Sequence, residues 1–388
     1  MPRIPTTERG RRSRDILLDK AANAFVRHGF HATSVAHVLR EADMAGGSFY
    51  QYFRDKDDVF QALLARMREG FLRVLGHERT PEGVCERLFE FFEAYGREYQ
   101  AFRETEFLSV EGSCRAFYTE AMSRLQELLS IDEPTAWAFF GAQSMVAVRF
   151  GIWKRKRVTP AVRAAFAKIA LHGISRVPTE RWKDLTLPHP WTDLQMPEPR
   201  GKGERTRGAI VRAARDLFAR RGYSPSHVSH IAAAAGVAQG TFYVHFRSKR
   251  EVLACIVEEY RRRLLDGGIQ VTTGVTDRLE RERCAAIYFL DFARRVQGLY
   301  RIVREAEFAE PDIGRGHYLW IAKTNSVRLQ EAMDKRQLRR TDPEVMACFL
   351  MGVLVNAGMR WALWGEDKIP PGAIRRTLRF EMNGLTGG

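Results

Sequence analysis

The residues best equipped for chemistry stand in one short stretch that occurs twice, GSFYQYFRDK at 47–56 and GTFYVHFRSK at 240–249. Each copy places hydroxyls, phenols, an amide or an imidazole, and a lysine within about three turns of helix. Such groups donate and accept hydrogen bonds and supply positive charge, which suits the holding of a polyanion. No Ser-His-Asp or Cys-His arrangement accompanies them, so no activated nucleophile is expected and the chain is read as no enzyme.

The duplication extends well past these ten residues. Phe49 and Phe242 lie 193 positions apart, and the same spacing carries Phe25 onto Phe218, Gly29 onto Gly222 and Lys56 onto Lys249 without a gap. Farther on, RETEF at 103–107 returns as REAEF at 304–308, and RFGIWKRKRVTP returns as RWALWGEDKIPP, with Trp153 on Trp364 and Pro160 on Pro371. The whole chain is therefore a tandem repeat, with insertions in its second copy.

The elements that must position the repeated stretch are helices. Leu17, Leu18, Ala21, Ala24 and Phe25 form one apolar stripe, matched by Ile210, Val211, Ala214, Leu217 and Phe218. Each stripe stops at a glycine, Gly29 or Gly222. A second, eight-residue helix is expected from a hydroxyl cap at Thr33 or Ser226, then a turn at Asp43 or Gly236, then a helix holding Phe49 or Phe242. Asp55 and Ser248 are expected to cap a fourth helix. Two short helices joined by a tight turn make a helix-turn-helix, whose second helix enters the major groove and reads base edges from its first turn.

The segments AGGSFYQYF and AQGTFYVHF, the glycine stop before them and the cap-plus-lysine after them resemble the TetR family of bacterial transcriptional regulators. The resemblance covers nearly the whole chain as two family units in tandem. It implies an all-α fold in which each unit joins a helix-turn-helix DNA-binding domain to a helical effector and dimerisation domain, the two units pairing as an intramolecular pseudo-dimer. The expected domains are 10–58 and 59–177, a proline-rich linker at 178–203, then 204–251 and 252–388.

The resemblance also implies roles for individual residues. Gln239, Gly240 and Thr241 fall where family members contact bases, and the amide of Gln239 is able to bond adenine N6 and N7 together. Gly46, Gly47, Ser48 and Gln51 are the corresponding positions in the first copy, where two glycines leave little side chain to read with. Tyr243, His245, Lys249 and Ser226, with Tyr50, Tyr52, Lys56 and Thr33, fall at phosphate-contacting positions. The first head is thus expected to hold backbone and the second to read sequence, on an operator that is an imperfect palindrome of double-stranded DNA.

The family's remaining helices bind a small molecule. Phe92, Tyr95, Tyr99 and Phe102 share one helical face, with Glu106, Glu307, Trp153 and Trp364 as further candidates for an effector pocket. The same spacing suits a plain core stripe, and Glu104, Glu106, Glu305 and Glu307 equally suit ion pairs with Arg103 and Arg304. The effector itself is not named by the sequence.

Composition agrees with a DNA-binding role. A net charge of +15 over 388 residues favours a polyanionic partner, and 45% hydrophobic residues suffice for more than one core. Five widely spaced cysteines with no C-x-x-C fit reduced thiols in a cytoplasmic, nucleoid-associated protein. The N-terminus is basic but has no apolar signal core, and the apolar run Val345 to Trp364 is interrupted by Asn356 and Arg360, so a buried helix is expected and no membrane. His227 with His230, and His28 with His31, lack a cysteine or carboxylate to complete a metal set, so neither metal nor cofactor is expected. Glycine-rich GKGERTRG and GGSFY follow no strand, which removes a phosphate-loop reading. Two alternatives remain: an architectural DNA-binding protein that answers to no ligand, and a chain in which one head works and the other unit serves only for pairing. Further self-association of the pseudo-dimer is also open.

Overall fold

The computed structural model describes residues 7–44, 46–106, 111–177, 180, 184–193, 200–365 and 369–387. The first repeat forms α1 (Glu8–His28), α2 (Val35–Ala42), α3 (Gly46–Tyr50), α4 (Lys56–Leu75), α5 (Pro81–Ala94), α6 (Gly96–Thr105), α7 (Glu111–Leu129), α8 (Glu133–Phe150) and α9 (Pro160–His172). The second forms α10 (Lys202–Arg221), α11 (Val228–Ala234), α12 (Gln239–His245), α13 (Lys249–Thr272), α14 (Arg278–Arg295), α15 (Gln297–Ala309), α16 (Pro311–Asp334), α17 (Pro343–Ala357) and α18 (Pro371–Asn383). No strand occurs among the described residues, and the all-α architecture stands.

The stripes behave as their spacing requires. Leu17, Leu18, Ala21, Ala24 and Phe25 are buried, as are Ile210, Ala214, Leu217 and Phe218, together with Phe49 and Phe242. Gly29 and Gly222 end α1 and α10 at φ 79° and 85°, each donating its N–H to the carbonyl of Phe25 or Phe218. A side chain is strained in that region of the map, which is why glycine stands there in both copies.

The cap of the second helix falls one residue later than the sequence suggested. Ser34 caps α2, its Oγ accepting from His37 N at 3.2 Å while His37 Nδ1 accepts from Ser34 N. In the second copy His227 holds the cap position and donates its N–H to His230 Nδ1. Thr33 and Ser226 instead turn inward, because their hydroxyls find carbonyls left over at the preceding helix end, Gly29 O at 2.7 Å and Gly222 O at 2.8 Å. The i, i+3 histidines are thereby explained as a capping pair, and no group of three or more metal-ligating side chains occurs among the described residues. Asp55 and Ser248 do cap α4 and α13, accepting from Asp58 N and Glu251 N. The carboxylates of Asp58 and Glu251 reach back past the cap to the N–H of Arg54 and Arg247.

The chain divides into two compact units, one of residues 1–131 with 147–158 and one of 132–146 with 159–388. The first holds α1–α7 and the end of α8. The second holds the start of α8, α9 and the entire second repeat, so helices from both repeats pack within it. There Phe139 and Phe166 meet Phe380 and Phe349 at ring separations of 6.1 and 5.8 Å. The ends of α9 and α18 exchange backbone hydrogen bonds: Ile174 N donates to Glu381 O and Ser175 N to Met382 O, while Leu385 N donates to Ala170 O and Thr386 N to Leu171 O. The register that places Trp153 on Trp364 turns each bond of the first pair into one of the second. Exchange of this kind is the mark of a two-fold interface, made here between two halves of one polypeptide.

The apolar run at the C-terminal end is a buried helix, as expected, but it is not uniform. After α17 it continues as a π-turn over Gly358–Leu363. Two polar side chains gather carbonyls near that irregularity: Tyr300 Oη donates to Val355 O at 2.9 Å and Gln297 Nε2 to Ala362 O at 2.7 Å. In the linker, Trp191 is buried, donates Nε1 to Asp291 at 3.1 Å and packs edge-on against Tyr288. Trp182 lies outside the described residues.

Candidate nucleic-acid interface

Each head consists of three helices closed over one phenylalanine. Phe242 and Phe246 are buried beneath α12, and Phe49 and Phe53 beneath α3. Burial of alternate residues of the motif fixes what remains outside. Gln239 and Gly240 are exposed, Thr241 and His245 half-buried, and Tyr243 is 52% exposed. In the first head Tyr50 is 64% exposed, Gly47 and Gln51 are exposed, and Ser48 and Tyr52 half-buried; the side-chain environment of Gly46 is not described. Both heads carry an exposed tyrosine at the same place, Tyr50 and Tyr243.

No side chain caps the start of α12, where Ala238 stands. Its first turn therefore offers Gln239, Thr241 and backbone N–H groups to the outside together. The turn before α3 has Asp43 at φ 51°, ψ 47°, and the turn before α12 has Gly236 at φ 69°. Both sit in the left-handed region that reverses the chain between the two helices.

Four of the expected phosphate contacts have structural partners of their own. The Lys56 ammonium donates to Phe30 O at 2.8 Å and His31 O at 3.2 Å and lies 4.6 Å from the Phe30 ring centre. Lys249 donates to the carbonyls of Tyr223, Ser224 and Ser226 at 2.9 to 3.1 Å and lies 4.3 Å from the Tyr223 ring centre. Burial lowers the pKa of both lysines, opposed by nearby carboxylates. Thr33 and Ser226 are buried, with their hydroxyls committed as described above. These four residues hold the loop after the first helix in place, and Tyr50, Tyr52, Tyr243 and His245 are left facing outward or half outward.

The same loops carry carboxylate anchors whose role the sequence did not reveal. Glu104 Oε1 on α6 accepts from Phe30 N at 2.9 Å. Glu305 on α15 uses both oxygens on Tyr223 N, at 2.8 and 2.9 Å, and accepts from Ser224 N at 3.4 Å. Desolvation raises the pKa of Glu305, against these hydrogen bonds and Lys249. The recurrence of RETEF and REAEF was the available signal, because the second letter of each is the anchor. Each anchor ties a head to the helical domain of its own repeat.

The aromatic face in the first repeat is closed. Phe92, Tyr99 and Phe102 are at most 2% exposed, with Phe92 on Tyr99 at 4.8 Å and Phe102 on Phe117 and Tyr118 at 4.9 and 5.1 Å. Glu106, fully buried, accepts from Tyr118 Oη at 2.5 Å. Tyr95 stacks on Phe91 and accepts from Arg73. These residues form the core stripe that was the alternative reading, since complementary rings leave no room among themselves. Trp153 is half-buried in the 3-10 turn after α8, Trp364 packs edge-on against Trp137, and Glu307 is buried on α15. A cavity of about 600 Å³ occurs in the second repeat, lined by Tyr260, Tyr288, Phe289, Tyr300, His317 and Leu354 among others, and an open cleft of about 870 Å³ in the first, where Phe92 and Ile152 stand among Arg27, Glu93, Arg97 and Arg157.

Two exposed reading helices, each on a buried phenylalanine and tethered to a helical domain, define a helix-turn-helix transcriptional regulator. The family model of bacterial regulatory proteins, tetR family, matches this chain twice, over residues 17–63 and 210–256. The chain thus carries two N-terminal domains of the TetR family in tandem. It is 25% identical over 181 residues to the transcriptional activator FasR of Mycolicibacterium smegmatis, covering 46% of this chain and 83% of that protein. It is 44% identical over 50 residues to a fatty acid metabolism regulator of Bacillus subtilis, covering 13% of this chain and 26% of the relative. Among solved structures, the fatty acid degradation regulator FadR of Bacillus halodurans matches 49% of this chain and 98% of its own, with 21% identity and a TM-score of 0.42.

Proposed function

We propose that the chain is a sequence-specific DNA-binding regulator whose two heads engage one imperfectly palindromic operator, and which represses where that operator overlaps a promoter. The observation that carries this reading is the pair of exposed first turns: Gln239, Gly240 and Thr241 in one head, Gly47, Ser48 and Gln51 in the other, with Gly46 preceding them. Tyr243, His245, Tyr50 and Tyr52 contact phosphates beside them. Thr33, Ser226, Lys56 and Lys249 act on DNA only through the loop they fasten. The unequal side chains of the two first turns make the two half-sites unequal.

Binding is modulated by a small, largely apolar effector. The cavity of the second repeat supports this, as does the π-turn beside it, an irregularity that recurs at functional sites. A relative named for fatty acid metabolism makes acyl chains a sensible first set of compounds. The protein acts as a regulator in the cytoplasm and not as an enzyme.

Selection of DNA fragments from a random library, repeated at several salt concentrations, tests the reading. A bipartite, unequal site whose affinity falls about 10³ to 10⁵ fold between 50 and 200 mM salt is the expected result, from phosphate contacts by both heads. Weak binding with no sequence preference and no compound that changes it would point to an architectural protein.

A further inference from the structure

The two repeats treat the centre of their helical domains differently. In the first, Phe102 of α6 and Phe117 of α7 meet at 4.9 Å and are buried, at 0% and 2% exposure. The register of RETEF on REAEF places Val303 at the position of Phe102. RAFY at 115–118 returns as RGHY at 315–318, an offset shorter by one, which places the paired buried residues Phe117 and Tyr118 on His317 and Tyr318, also buried on α16. Farther along that helix RLQE at 124–127 returns as RLQE at 328–331, so Leu125 corresponds to Leu329, buried in both copies. Val303, His317 and Asn325 all line the 600 Å³ cavity. Two phenyl rings have thus given way to an isopropyl and an imidazole, and the space they would fill is open.

His317 has no ordinary structural reason to be a histidine. It lies 5.5 Å from the Tyr260 ring, and its Nδ1 is buried without a hydrogen-bond partner among the described residues. An orphaned buried nitrogen costs stability that a phenylalanine, the residue at the equivalent place in the first repeat, would not. Burial, with Arg261 nearby, pushes its pKa down to about 3, so the ring is neutral and its nitrogens serve as one donor and one acceptor.

We propose that the chain binds one effector per polypeptide, in the second repeat alone, and that His317 recognises it through a hydrogen bond to an uncharged oxygen on an otherwise apolar molecule. The inference rests on the reading of the chain as an effector-responsive regulator and adds where, how many and what kind. In the first repeat Phe102 and Phe117 fill the equivalent space, and the cleft that this repeat does hold is lined by Arg27, Glu93, Arg97 and Arg157, charges that do not suit an apolar molecule. Discrimination comes from leaving His317 unpaired when the oxygen is missing, a penalty that an apolar pocket cannot impose.

The test uses the full chain with two probes of nearly equal shape, 2-naphthol and naphthalene, titrated with and without DNA carrying the selected operator. One equivalent of 2-naphthol is expected, bound about 5 to 10 fold more tightly than naphthalene. His317→Phe should bind both probes alike, and Val303→Phe, which restores the first-repeat residue, and Asn325→Leu, which adds bulk to the cavity wall, should each weaken both. Two equivalents, an unchanged preference in His317→Phe, unchanged binding in the filling variants, or no binding of either probe would each overturn the proposal. Asn325→Leu keeps the location testable should Val303→Phe not fold. Single-site binding that leaves operator affinity unchanged would count against the regulatory reading and leave the site standing.

Discussion

Gly141 of α8 and Gly352 of α17 face each other so closely that a Cβ built on either would strike the carbonyl oxygen of the other. The register that places Trp153 on Trp364 also places Gly141 on Gly352, so the two are the same residue in the two repeats, meeting where the halves cross. Small residues at this point let the backbones approach and bring Phe139, Phe166, Phe349 and Phe380 into contact around them.

Adding a methyl group at that crossing should separate the helices. Gly141→Ala or Gly352→Ala is expected to destabilise the chain by about 1 to 3 kcal/mol through overpacking, despite the better helix propensity of alanine. Gly316→Ala, on α16 with open space around it, should be neutral or slightly stabilising. Urea unfolding of the three variants measures the difference.

An interface satisfied within one chain leaves no need for a second copy. Sedimentation at several protein concentrations should give a species of about 44.5 kDa. Its melting temperature should not change with dilution, as it would for an obligate dimer. A concentration-dependent shift to twice that mass would mean further association through another surface.

Base readout should be unequal between the heads. Gln239→Ala is expected to cost about 1 to 3 kcal/mol on the preferred site and to relax preference at one base pair, as loss of a bidentate amide does. Gln51→Ala should cost less and change preference little, because the first head carries glycines at 46 and 47. Binding of both variants to a base-substitution series settles the comparison.

The Glu305 anchor should report on the coupling of head to helical domain. Glu305→Ala leaves Tyr223 N without its acceptor and should accelerate hydrogen exchange there, with a stability loss of about 1 to 3 kcal/mol. Glu305→Gln keeps an acceptor and should lose less. Because burial raises the folded pKa of Glu305, its contribution is largest at low pH and falls as pH rises through that folded value, so the glutamine variant should show a flatter profile above pH 4.5.

His317 should leave the opposite signature. Its folded pKa of about 3 lies below the ordinary 6.5, so the unfolded chain binds the extra proton, and stability present above pH 6.5 is lost on acidification. The effect is on the order of 3 kcal/mol at pH 4. Thermal unfolding of His317→Phe between pH 7 and 4 should be correspondingly less pH-dependent than that of the wild type.

Much of this protein was legible in its sequence because the information is local or repeated. Apolar spacing gave the helices, the glycine stops at Gly29 and Gly222 their ends, and the doubled GSFY and GTFY motifs the reading heads. A repeat makes each such signal appear twice, which separates it from chance. Composition and the interrupted apolar run likewise pointed to a buried helix.

Long-range partners were decided only by the tertiary structure. Whether Lys56 and Lys249 face phosphate or their own chain depends on carbonyls more than twenty residues away, and Glu104 and Glu305 become anchors only when α6 and α15 reach the loops after α1 and α10. The same applies to the aromatic face: a stripe of rings has the same spacing whether its neighbours fill it or leave a cavity. Phe117 fills the first repeat, and His317, its counterpart, borders open space in the second, because packing density is a property of all the elements that meet and not of any one helix.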